Sequence, residues 1–311
     1  MKVVLTGATG FVGRHLIGLL LDEGVHVRVI SRKQAVMIEG CEMVYGDISD
    51  KKSIEKAFAG IDVLIHLAAE LKNEISFETT NITGVRNLCE LVNQYGIKRV
   101  VHLSSVGVLG MQFSNKGVLV NEEFPCRPKN GYEKSKLESE KIWLNGLDKS
   151  VSLCILRPTN VFGDHHPRNA LLGMFRHIKN GKTLFMNKNA RVNYVYVKDL
   201  AYVIMHFMRF SKGNTREIYN VGEYMLLEKF VRHVALRLGV EPKIKYLPSW
   251  AYPPLDAVPA FLKNKKPKVQ ALFNKVMYDD SALMKEVKYA YGTLKGIDLT
   301  IDYYQKQKML V

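Results

Sequence analysis

Residues 1–24 read MKVVLTGATGFVGRHLIGLLLDEG, and this stretch decides the fold. Met1 to Thr6 is a short apolar run of the kind that makes a buried parallel strand. It passes directly into Gly7-Ala-Thr-Gly10-Phe-Val-Gly13 and then into RHLIGLLLDEG, whose apolar residues recur with helical period. Strand, glycine turn and helix together make a phosphate cradle. The glycines let the backbone turn tightly and approach a pyrophosphate, and the helix start offers unpaired N–H groups at the positive end of its dipole. Gly7, Gly10 and Gly13, with Phe11 inside the turn, are the first candidate dinucleotide contacts.

Outward from this turn, strand-like and helix-like segments alternate as far as Pro158, which predicts an α/β protein with a doubly wound parallel sheet. The predicted strands are VVLTG, VHVRVIS, CEMVYGD, VLIHLA, RVVHLSS and SLCILRP. Helices are expected near residues 13–23, 51–58, 80–95, 132–146 and 168–180. After Pro158 the alternation becomes irregular, and a second lobe is expected to start there.

A second motif says what is done with the dinucleotide. Tyr132 and Lys136 stand four apart in NGYEKSKLESEKIW, on one face of the chain if that segment is helical. An ammonium beside a phenol is expected where the phenol must lose its proton near neutral pH.

The totals bound the rest. A chain of 311 residues, 47% hydrophobic and 24% charged, has the composition of an ordinary globular protein with a sizeable core. With the first strand beginning at once, no signal peptide is expected, and no apolar run is long enough to span a bilayer. The four cysteines, Cys41, Cys89, Cys126 and Cys154, lack metal-ligand spacing and read as reduced core thiols of a cytoplasmic protein, with no metal site. His165 and His166 are adjacent, point to opposite sides of an extended chain and have no third ligand in sight, so a loop role is expected. A net charge of +15 suits phosphorylated small molecules or a solvated basic surface, and no nucleic-acid-binding motif accompanies it. Residues 247–262, LPSWAYPPLDAVPAFL, are apolar but broken by prolines, and KNKKPK follows. They read as packing of the second lobe, with a lid or a membrane-surface contact as alternatives.

The spacing G-x-x-G-x-x-G followed by Tyr-x-x-x-Lys resembles the short-chain dehydrogenase/reductase superfamily. The order HLAAE (66–70), LSSVGVLG (103–110), YEKSK (132–136), LRPTNVFG (156–163) and NYVYVKDLA (193–201) resembles its extended branch, the NAD-dependent epimerase/dehydratase family. The resemblance covers Met1 to about Leu247. It implies a Rossmann domain from residues 1–159 plus 193–222, and a smaller, discontinuous C-terminal substrate lobe from 160–192 plus 223–311. NYVYVKDLAYVIMHFM and the strand EIYNVG are then expected to return to the nucleotide-binding core.

The resemblance also assigns roles. Tyr132 is the general acid/base, Lys136 lowers its pKa and holds the nicotinamide ribose, and Ser105, rather than Ser104, hydrogen-bonds the substrate oxygen. Asp47 and Ile48 fall at the adenine, and Leu67, Ala68 and Ala69 let the backbone approach the cofactor. Asn81 and Pro158 complete the implied contacts. Where an acidic residue would favour NAD, this chain has Ser31-Arg32-Lys33, which suits a 2′-phosphate and makes NADP the preferred cofactor over NAD. Val106 and Gly107 replace the Asp-Glu pair of the sugar-nucleotide dehydratases, so dehydration is not expected. Val192 stands where many epimerases hold a diphosphate with arginine, Leu109 replaces a common tyrosine, and a second phosphate-binding arginine is missing. Arg168, Lys179, Lys182 and Arg191 are possible substitutes. The implied activity is reversible hydride transfer at a secondary alcohol or ketone of a small molecule. A nucleotide sugar leads, and an apolar ketone of the dihydroflavonol reductase or 3β-hydroxysteroid dehydrogenase kind follows. A dinucleotide sensor without turnover is the third reading. A homodimer is expected from the same resemblance.

Overall fold

The computed structural model describes residues 1–167, 171–210, 213–248 and 270–310. Seven strands, β1 (Lys2–Thr6), β2 (His26–Ser31), β3 (Glu42–Tyr45), β4 (Val63–His66), β5 (Arg99–Leu103), β7 (Ser152–Pro158) and β11 (Arg216–Val221), form one sheet. Its order is β3-β2-β1-β4-β5-β7-β11, and every neighbouring pair is parallel. The six strands expected before Pro158, with EIYNVG, are the seven of this sheet. The chain winds outward from β1 in one direction and then from β4 in the other. A crevice therefore opens between the carboxyl ends of β1 and β4, where a doubly wound sheet takes its ligand.

Both faces of the sheet are covered, as a parallel sheet requires. The helices are α1 (Phe11–Asp22), α2 (Lys51–Ile54), α3 (Gly84–Gln94), α4 (Gly131–Gly146), α5 (Leu172–Lys179), α6 (Val197–Arg209) and α7 (Leu227–Arg237), followed by a C-terminal helix, Gly292–Lys306. Val3 and Leu5 of β1 pack with α1 and α6, whereas Val4 packs on the opposite face with α3 and Trp143 of α4. This period of two is what makes a near-continuous apolar strand necessary. The helix expected over 80–95 opens with a wide π-type turn, Phe77–Thr83, before α3 begins.

The remaining strands are short: β6 (Val118–Val120), β8 (Asn160–Phe162), β9 (Leu184–Met186), β10 (Arg191–Tyr196), β12 (Glu223–Leu226), β13 (Ile244–Tyr246) and β14 (Val276–Tyr278). They make a three-stranded sheet, β12-β10-β8, and two pairs, β13-β9 and β14-β6. The stretch NYVYVKDLAYVIMHFM therefore divides rather than returning whole to the nucleotide-binding core. β10 pairs with β8 and β12 outside the large sheet, while α6 packs against α1 and Val195 of β10 joins the core beneath that sheet. The second core holds Phe162, Phe175, Tyr196, Phe230 and Tyr304.

Candidate active site

The glycine turn leaves no room for side chains. Gly7 has a positive φ of 76°, and a Cβ there would lie 2.6 Å from the Ala68 nitrogen. A Cβ on Gly13 would lie 2.3 Å from the Gly7 oxygen. Gly10 is the N-cap of α1, with no side-chain cap and no acidic residue in the first turn. The orphan N–H groups and the positive dipole end thus face the crevice without competition from a carboxylate, and the turn fits a pyrophosphate.

The second element is α4, which crosses the carboxyl end of β5. Asn130 starts the helix. Its Oδ1 accepts from the Glu133 nitrogen at 2.9 Å, and Glu133 returns the cap by accepting from the Asn130 side chain and the Lys129 backbone, both at 2.6 Å. Gln112 donates to the same carboxylate. Tyr132 lies next to this cap, with its ring 6.3 Å from that of Phe77. Burial, aided by the Glu133 charge, pushes its hydroxyl up to about 12. Lys136 is fully enclosed. Its Nζ donates to the Leu103 carbonyl at 2.7 Å and lies 3.4 Å from His102 Nε2. Burial lowers its pKa to about 8, against the opposing pull of Glu140.

The two adjacent serines at the end of β5 have different surroundings. Ser104 is buried and donates to Glu140 Oε1 at 2.5 Å, and Glu140 is also bound by Arg157 at 2.6 and 3.0 Å. Ser105 is half-buried, and among the described residues its Oγ accepts only from the Gly107 nitrogen, at 3.1 Å, as the cap of a single 3₁₀ turn, Val106–Leu109. A hydroxyl that accepts one weak local bond keeps its own proton available for a ligand oxygen.

The glycine-rich turn on an uncapped helix and the Tyr132–Lys136 step of α4 both fall within one family match. A profile of the NAD-dependent epimerase/dehydratase family matches residues 3–222. The chain belongs to that family. Its relatives include epimerases and dehydrogenases, and it is an NAD(P)-dependent enzyme of the extended short-chain dehydrogenase/reductase class. It is 31% identical to an N-acetyl-α-D-glucosaminyl-diphospho-ditrans,octacis-undecaprenol 4-epimerase of Escherichia coli O157:H7, over 72% of this chain and 67% of that protein. It is 27% identical to a 3-β-hydroxysteroid dehydrogenase of Mycolicibacterium neoaurum, over 76% of this chain and 70% of the relative. In fold it is similar to the UDP-glucose 4-epimerase of Thermus thermophilus solved with NAD, with a TM-score of 0.70, 24% identity and coverage of 98% and 99% of the two chains.

Within this family site, the other residues singled out from sequence fall into three groups. Leu67 and Ala68 line the close approach, where their nitrogens donate to the Thr6 carbonyl at 3.2 Å and the Thr6 hydroxyl at 3.3 Å. Ala69 follows them, half-buried. Pro158 ends β7 between β5 and β11, and the next nitrogen, Thr159, donates to Val221 at 2.9 Å. Phe11 turns its ring onto His166, with centroids 4.8 Å apart, while the Tyr303 hydroxyl lies 3.2 Å from His165 Nδ1.

The second group is committed to neighbouring protein atoms. Asn81 accepts from the Glu70 nitrogen and donates to the Glu70 carbonyl and to Ser135 Oγ, at 2.8, 3.0 and 2.9 Å. All three bonds clamp the loop after β4 onto α4. Ile48 is buried, and its side chain fills the space left by Gly84. The third group is the end of β2 and β3. Ser31 Oγ closes a turn on the Lys33 nitrogen at 3.1 Å, and Arg32 is exposed, 3.9 Å from Asp47. An open cavity of about 320 Å³ lies beside the glycine turn, lined by Thr9, Arg14 and Lys33 with Ala8, Ile17, Val36 and Ile38.

In the smaller lobe, Val192 is buried, and the neighbouring Arg191 lies beside a second cavity of about 280 Å³ shared with Lys275 and Asn189. Lys179 donates to the Leu310 carbonyl at 2.7 Å. Arg168 and residues 249–268, which hold most of the proline-broken segment and the basic run after it, lie outside the described residues. Sequence reasoning did not single out Glu140, Arg157, His66 or His102. Glu140 follows Lys136 by one helical turn, which was a readable signal. The partners of the other three depend on strand register.

Proposed function

We propose that this enzyme carries out reversible hydride transfer at a secondary alcohol or ketone, with Tyr132 as general acid/base, Lys136 as its charged partner and Ser105 as the hydrogen-bond donor to the substrate oxygen. The observation that carries the reading is the contrast at the end of β5. Ser104 is locked to Glu140, whereas Ser105 keeps a free donor near the Tyr132 end of α4. The bound nicotinamide supplies or removes the hydride. Ser105 orients the reacting oxygen, and Tyr132 gives that oxygen its proton in reduction or takes it in oxidation. Burial, with the Glu133 charge, holds the phenol near 12, so the positive charge of Lys136 must be kept close for the proton to move near neutral pH. Val106 and Gly107, next to Ser105, carry no group able to move a proton, which supports simple oxidoreduction over elimination.

For the substrate, a hexose carried on a diphosphate leads. The undecaprenyl-diphosphate-sugar epimerase and UDP-glucose epimerases among the relatives support it, as does the basic balance of the chain. An apolar ketone is the second reading, favoured by Val192 in place of an arginine and by the steroid dehydrogenase relative. The test is turnover of NAD(P)H with a UDP-4-ketohexose and with a 3-ketosteroid, in wild type and Tyr132→Phe. Tyr132→Phe is expected to lower turnover by about 10²–10⁴ while leaving dinucleotide affinity unchanged. Undiminished turnover removes Tyr132 from the mechanism.

We propose NADP as the preferred cofactor. Three cationic side chains, Arg14, Arg32 and Lys33, surround the end of β2, and two of them line the cavity beside the glycine turn. Arg32 is loosely paired with Asp47, so Arg14 and Lys33 are the better placed pair for a 2′-phosphate. Arg14→Ala should weaken NADPH about tenfold or more with little change for NADH, and Arg32→Ala should act in the same sense but less. Equal losses for both dinucleotides in titration fluorimetry would show that neither residue reads the 2′-phosphate.

A further inference from the structure

Thr6, His66 and His102 occupy matched positions on the adjacent strands β1, β4 and β5. In-register neighbours on a parallel sheet point to the same face, so these three polar side chains form one row beneath α4. Thr6 Oγ1 lies 2.6 Å from His66 Nδ1, and the His66 and His102 rings stack with centroids 5.2 Å apart and planes within 15°. Trp143, two helical turns beyond Lys136, covers both rings at 6.1 and 6.0 Å. At the end of the row His102 Nε2 meets Lys136 Nζ at 3.4 Å, and His102 Nδ1 has no partner among the described residues.

Such a row is an unusual thing to bury. Two imidazoles and a hydroxyl sit against a core made largely of valine, leucine and isoleucine, and a buried polar group without a purpose lowers stability. An ammonium can only donate, so the shared proton must come from Lys136, and His102 must carry its own proton on Nδ1. We propose that His102 is a positioning residue for Lys136: its Nε2 is the acceptor that, with the Leu103 carbonyl, fixes the ammonium at the end of β5, and the Thr6–His66 pair holds the ring in place from behind.

The electrostatics of the site agree with this geometry. The groups acting on Lys136 are His102 and the Leu103 carbonyl from β5 and Glu140 from its own helix, with Glu140 tied to Arg157 of β7. His66 stands behind His102. Burial and the Lys136 charge hold His66 down to about 3 and His102 well below its ordinary value, so both rings are neutral. Replacing His102 by an apolar ring therefore changes no charge. Any effect on the Lys136 titration reports the lost hydrogen bond.

The experiment is a pH titration of the whole protein with ¹³Cε-labelled lysine, followed by NMR, with the Lys136 resonance assigned by its absence in Lys136→Arg. In His102→Phe the ammonium loses an acceptor, and its midpoint should fall by about one pH unit. In His102→Gln the amide oxygen reaches the position of Nε2, and the midpoint should return to within a few tenths of wild type. Unchanged titration in His102→Phe, or an equal fall in both variants, would overturn the proposal. Should His102→Phe not fold, the imidazole ¹⁵N shifts of wild type decide the question. A bare, hydrogen-bonded Nε2 and a protonated Nδ1 are expected, and the opposite tautomer contradicts the role. The catalytic meaning of this positioning rests on the hydride-transfer reading. The titration is read without substrate, so failure of one is distinguishable from failure of the other.

Discussion

The carboxyl edge of the large sheet and the smaller lobe are held together in different ways. At the sheet edge, side chains meet because strands are in register: Thr6, His66 and His102 form a row, Ser104 reaches Glu140, and Glu140 binds Arg157. Polar groups are buried there with fixed partners. In the smaller lobe the β12-β10-β8 sheet and the β13-β9 pair surround an aromatic and aliphatic core, and Asp199 of α6 ties the C-terminal helix down by accepting from the Tyr291 and Gly292 nitrogens at 2.8 and 2.9 Å. The first arrangement fixes atoms in place for chemistry.

That contrast can be broken most severely at Arg157. Both it and Glu140 are almost wholly enclosed, so Arg157→Met would leave a carboxylate buried without its ion pair and cost about 3–5 kcal/mol. Chemical denaturation should show this loss. A change under about 1 kcal/mol would mean that solvent reaches Glu140. Gly13→Ala should have the next largest effect, because its Cβ would collide with the Gly7 and Ala8 carbonyl oxygens. A destabilisation of about 1–3 kcal/mol is expected, with loss of dinucleotide binding. Retention of full affinity in a thermal-shift titration would contradict the close-approach role of the turn. In the smaller lobe, Arg191→Ala should change stability by less than about 0.5 kcal/mol and alter KM only for an anionic substrate. A large loss of stability there would erase the distinction between the two regions.

Local grammar made much of the first region legible. The glycine turn, the seven strands and the Tyr132–Lys136 pair each depend on residues close together in the chain, and the spacing of glycines or a helical step of four is visible at once. Adjacent residues at a strand end face opposite ways, but the choice of Ser105 over Ser104 came from the resemblance alone. The His66–His102 row was not legible, because it exists only when strands far apart in sequence align. Asn81 was singled out through the resemblance alone, and its partners, Glu70 and Ser135, come from two other elements. The return of NYVYVKDLA to the nucleotide-binding core was expected from the resemblance, which did not show its strand pairing outside the large sheet while its helix packs back. β10 joined β8 and β12 instead, because strand pairing is decided by tertiary partners rather than by propensity.

The most direct test of the account is the dinucleotide itself. The freshly purified protein is denatured, any released nucleotide is identified by mass spectrometry, and the refilled protein is titrated with NADPH and NADH. The account predicts one dinucleotide per chain, bound on isolation or on titration, with NADPH favoured and with binding lost in Gly13→Ala. A folded protein that binds neither dinucleotide, in either redox state, would contradict it.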